Sequence, residues 1–133
     1  MAYPGPVGAS EANRRSGNEM VNNILTADQV ADFGRDGFLV VRSLFDTEEM
    51  LNLASWTNEV EAWPETAGRH MMYFETSLKD NGARILNRLE NFYPYHESFY
   101  QLFNSEKLRG ATSDLLGEEA ILYKDKINFK LPG

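Results

Sequence analysis

The sequence predicts an α+β fold in which a helical preface leads into the first strands of a sheet. Three observations predict it. Two capping boxes, Thr26 with Gln29 and Asp46 with Glu49, each open a run of apolar residues at three- to four-residue spacing. Two strand-like runs, 70–74 and 83–91, flank Asp80-Asn81-Gly82, and Asn-Gly between such runs is a strong hairpin signal. Residues 120–131 alternate in polarity, as a strand does.

The elements follow in order. Residues 1–25 read as a disordered tail, because Pro4, Gly5, Pro6, Gly8 and Gly17 break any period and the few apolar residues cannot offset the entropy of ordering. The domain proper spans 26–133. Thr26 caps the first helix, Leu25 and Val30 sit at staple positions, and Gly37 ends it. Phe38–Val41 reads as a short buried strand. Asp46 caps the second helix, in which Met50, Leu53, Trp56, Val60 and Trp63 recur on one face until Pro64 stops it. The acids of 46–65, with no Lys or Arg among them, read as a solvated helix face that also complements the helix dipole. After the hairpin, Phe92–Tyr95 forms a turn around Pro94, a helix starts near Glu97, and Ser105 caps a further helix that ends at Gly117. Ala120–Leu131 is the most strand-like segment. Too few strands accompany it to close a sheet, so the chain reads as the front part of a larger domain.

Composition narrows the function. With 133 residues the chain holds one domain at most, and 42% apolar content argues against wholesale disorder. Cysteine is absent, so there is no disulfide framework and no thiolate ligand or nucleophile. A net charge of −7 disfavours nucleic acid and anionic membranes as partners. No apolar run approaches the roughly 20 residues of a membrane span, and no secretory signal opens the chain, so a cytoplasmic protein is expected. His70 and His96 lack the spacing of a metal site, and His96 reads as a local cap. No Walker, dinucleotide-glycine or G-x-S-x-G pattern occurs. Phe92, Tyr93, Tyr95, Phe99 and Tyr100 read as core.

The last segment carries the chemistry. Ile121, Tyr123, Ile127, Phe129 and Leu131 fall on one face, with Asp125 as the exception. Leu122, Lys124, Lys126, Asn128 and Lys130 fall on the other. Alternation alone favours the wet face of a half-exposed strand; the alternative is a site for a small dianion.

Two stretches give a resemblance. Leu25-Thr26, Gln29-Val30, Phe33, Asp36-Gly37-Phe38-Leu39-Val40-Val41 and Leu44-Phe45 resemble the opening of the phytanoyl-CoA dioxygenase-like family. Leu122 to Gly133 resembles the strand that in this family leads into an H-x-D iron motif, and ectoine hydroxylases are similar there. The resemblance covers residues 25–133. It implies a non-haem Fe(II), 2-oxoglutarate-dependent dioxygenase on a double-stranded β-helix (jelly roll) that hydroxylates a small or acyl-type metabolite. The 2-His-1-carboxylate iron triad would lie beyond Gly133, so this chain alone is expected to be inactive. Carried over by position, Asn128, Lys126 and, by a looser alignment, Arg88 are implied contacts of 2-oxoglutarate, and Lys124 of the substrate. With the resemblance, the lysine face reads as a site. The other reading is a non-catalytic α+β module that binds a small anion or a protein.

Overall fold

The computed structural model describes residues 24–130. The expected tail lies outside them except for Ile24 and Leu25, and Leu25 is a core residue, 1% exposed. Its N–H donates to Asp114 Oδ2 at 2.9 Å, which ties the start of the fold to a helix far along the chain.

Helix α1 spans Ala27–Asp36 and α2 spans Thr47–Glu61. Both open with complete capping boxes: Thr26 and Asp46 accept from the Gln29 and Glu49 N–H groups, and those side chains accept in return from the cap N–H. Gly37 terminates α1 in the left-handed conformation at φ 76°. Strands β1 (Met71–Thr76) and β2 (Arg84–Glu90) pair antiparallel. Between them Asn81 and Gly82 take positive φ, and Ser77 donates to the Ala83 carbonyl. A 3-10 turn, Tyr93–Tyr95, leads into α3 (Glu97–Phe103), then a π-helical turn capped by Ser105 (Glu106–Gly110), then α4 (Ala111–Leu116), which Gly117 ends at φ 72°. Strand β3, Lys126–Asn128, pairs antiparallel with β2, giving the order β1-β2-β3. The chain is thus α+β with a small antiparallel sheet, as expected.

The sheet has two chemically different faces. Met72, Leu89 and Ile127 align across the three strands and face the helices, where Val60, Phe92 and Phe99 join Leu89 in the buried core. Trp56 and Phe92 both meet Phe99 edge-on, at ring-centre distances of 5.9 and 4.9 Å, a favoured aromatic geometry. Tyr73, Arg88 and Asn128 align on the other face. A bulge separates the two halves of β2: Tyr73 opposes Arg88 and Phe74 opposes Leu86, leaving Asn87 as the extra residue.

Two strand expectations need correction. Phe38–Val41 is not a strand, and Phe38 and Val40 are 65% and 63% exposed. No strand among the described residues pairs with it, and without a ladder its apolar character does not produce one. Of the segment expected over 120–131, the described residues, 120–130, form only three residues of strand. Its partner β2 ends at Glu90, and Asn91 turns the chain away at φ 57°. Before residue 126 there is no ladder to join, and Ile121 and Tyr123 are exposed.

Candidate functional site

Strand alternation gathers the predicted residues on the face away from the helices. On β2, Arg88 and Glu90 point together while Leu89 points into the core. On β3, Asn128 stands opposite Arg88 and Lys126 opposite Glu90. Lys124, from the irregular segment before β3, reaches Glu90 Oε2 at 2.9 Å. Arg88 lies over the Tyr73 ring, its guanidinium carbon 4.0 Å from the centre, and its Nε is 3.2 Å from Glu90 Oε1 without the alignment of a hydrogen bond. The structure therefore brings Arg88, Lys124, Lys126 and Asn128 together. The Lys126 and Asn128 side chains are exposed and make no hydrogen bond among the described residues.

Asp125, the exception in the sequence alternation, explains how this edge is held. Its carboxylate is buried and accepts from the Asn91 and Tyr93 N–H groups at 2.8 and 2.6 Å. The side chain thus supplies the acceptors that a longer ladder would have supplied, and it fixes Lys124 and Lys126 on either side of it.

Glu90 is the residue that sequence reasoning missed. It is 3% exposed at the centre of the cations. The Lys124 ammonium, hydrogen-bonded to it, holds its carboxyl below the usual carboxylate range; desolvation opposes this, and the charges of Lys124, Arg88 and Lys126 add to it. The available signal was its place two residues from Arg88 on the same strand face. Three cations and one carboxylate leave two net positive charges here, in a chain whose net charge is −7. The arrangement can bind and orient an oxyanion with charge-assisted hydrogen bonds.

The histidines serve the fold. His96 Nδ1 accepts from Phe99 N–H at 3.3 Å as the cap of α3, and Nε2 faces Glu59 at 3.3 Å. His70 Nε2 pairs with the Pro64 carbonyl at 3.0 Å, and its ring lies 4.8 Å from that of Trp63. Among the described residues no three His, Cys, Asp or Glu side chains gather to hold a metal. No helix among them is long and apolar enough to cross a membrane.

No protein-family model matches the chain, and no solved structure does. Curated relatives do. The chain is 39% identical over 108 residues to a 2-aminoethylphosphonate dioxygenase of an uncultured bacterium, covering 81% of this chain and 41% of the relative. It is 34% identical over 113 residues to a methylphosphonate hydroxylase of Gimesia maris, covering 85% and 42%. A probable alpha-ketoglutarate-dependent hypophosphite dioxygenase of Stutzerimonas stutzeri is 30% identical over 110 residues, covering 80% and 37%. The chain therefore corresponds to a partial dioxygenase-like region. It spans about two fifths of the length of these relatives.

Proposed function

We propose that the chain is the N-terminal part of a non-haem iron, 2-oxoglutarate-dependent dioxygenase of the phytanoyl-CoA dioxygenase-like family, and that its cationic sheet face is one wall of the active site. One observation carries the reading: the residues that the family resemblance selects from distant parts of the sequence lie side by side on one face of the sheet. Asn128 and Lys126 receive the carboxylates of 2-oxoglutarate with Arg88 beside them, and Lys124 faces the substrate. The helices cover the opposite face, and a second sheet closing over the polar one makes the jelly roll.

The names of three relatives support a reading of the substrate class. Phosphonates and hypophosphite are phosphorus oxyanions, and the Lys124 ammonium, which faces the substrate in this reading, suits such a group. The substrate in this reading is a small phosphonate rather than an acyl-type metabolite. Iron does not fit the described residues, which bring no metal-ligand group together, so the part played by this chain is to bind and orient anions.

The test is titration of 2-oxoglutarate against the full-length protein, read as succinate release with methylphosphonate or 2-aminoethylphosphonate as substrate. A hydrogen bond from an amide to a charged acceptor is worth roughly 1.5–3 kcal/mol. Asn128→Ala should therefore raise the apparent 2-oxoglutarate constant by about one to two decades. An unchanged constant in that variant removes the assignment.

A further inference from the structure

Glu90 is a carboxylate buried within a cationic face, and the reading above gives it no role. Such groups are almost never buried unless paired, and here the pairing is divided. Oε2 takes the Lys124 ammonium at 2.9 Å, and Oε1 faces Arg88 Nε at 3.2 Å. Lys126 stands across the ladder from it. The two cations it touches are open on their other side, with side chains 55% and 38% exposed for Lys124 and Arg88.

Backbone geometry does not place the Lys124 ammonium. The residue precedes β3, outside any ladder, and its four-carbon stem is flexible. Glu90 is the group that brings it to the sheet. Without that carboxylate, three cations would crowd one small face and repel one another.

We propose that Glu90 is the positioning residue of this site. It holds Lys124 and Arg88 against the sheet so that Arg88 meets bound 2-oxoglutarate beside Lys126 and Asn128, while Lys124 stays in place toward the substrate. It also reduces the charge of the face to the two that a dianion neutralises. The inference rests on the anion-binding reading of the preceding section.

A mutant cycle in the full-length protein tests it, with 2-oxoglutarate as the probe and its dissociation constant read by calorimetry. Glu90→Gln should weaken binding roughly tenfold. In an Arg88→Met/Lys124→Met background the same change should cost less than about twofold, because a residue that acts through those two has nothing left to position. If Glu90→Gln does not fold, Glu90→Asp, which withdraws the carboxylate by one methylene, takes its place in the cycle with the same expected pattern. Equal losses in both backgrounds overturn the proposal and leave the anion-binding reading standing. Tighter binding by Glu90→Gln also overturns it, since Glu90 would then compete with the ligand. If the Arg88→Met/Lys124→Met background binds 2-oxoglutarate as well as the parent, or the parent does not bind it, both readings fall together.

Discussion

Replacing Asp125 should be among the most damaging single changes on the sheet edge. The side chain is 8% exposed, and its two oxygens accept from two backbone N–H groups that flank the fully buried Phe92. In Asp125→Ala both donors lose their acceptor. Each unsatisfied buried donor costs about 1–3 kcal/mol. Together the loss is roughly 2–6 kcal/mol, reduced where water reaches either group, against a total stability of about 5–15 kcal/mol for a domain of this kind. Asp125→Asn retains one acceptor and sets an amide donor against the other N–H, so it should recover no more than about half of the loss. Urea unfolding followed by the fluorescence of Trp56 and Trp63, which pack on the core, measures both variants. A loss below about 1 kcal/mol for Asp125→Ala, at unchanged denaturant slope, would refute the view that this carboxylate anchors β3.

Further outcomes are expected. Lys107, Arg84 and Lys124 hold the carboxyls of Glu49, Glu65 and Glu90 below the usual carboxylate range. A carboxyl depressed in the folded state stabilises fully above its unfolded value and loses that contribution as pH falls through the folded one, so the urea midpoint should drop below about pH 4.5, and less steeply in Glu65→Gln. Gly37→Ala should cost about 1 kcal/mol, because φ 76° is strained for any residue with a Cβ; a thermal melt reads it. Gly110→Ala would set a Cβ 2.8 Å from Ile24 Cγ1, so it should lower the Tm, and Ile24→Ala in the same chain should restore part of the loss.

What was legible in the sequence was local. Both capping boxes and the Gly37 and Gly117 stops are decided within a few residues, and they stand where the residue types place them. His96 likewise caps α3 through a neighbour three residues on. The paired runs around Asn81-Gly82 needed only adjacent chain. What failed depended on distant partners. Phe38–Val41 has strand composition but no strand beside it among the described residues. The length of β3 was set by where β2 ends, 36 positions before Lys126, and not by the alternation of 120–131 itself. Asp125 looked like a break in the pattern because its partners, Asn91 and Tyr93, lie more than 30 residues away. Glu90 was missed for the same reason: only the fold shows that Lys124 reaches it. The lysine row was readable, and alternation put Glu90 on the face of Arg88, whereas its pairing with Lys124 was not readable.

The single extra residue in β2 sets the parity of the strand. C-terminal to Asn87, even-numbered residues lie on the polar face; N-terminal to it, Leu86 opposes Phe74 on the helix side while Ile85 opposes Glu75 on the polar one. The bulge is fastened from both neighbours, since the Asn87 carbonyl accepts from Phe129 N–H at 2.7 Å and its amide donates to Glu75. Drawing Asn87 into regular pairing opposite Phe74, with no residue removed, would leave the pairing of 88–90 with β3 in place and put the hairpin end out of phase. Leu86 would swing out to the polar face, Ile85 would turn inward, and Arg84 would leave the Phe74 ring and its partner Glu65. One residue thus keeps two halves of a strand in opposite phase, so that a charged face and a closed core can share seven consecutive positions.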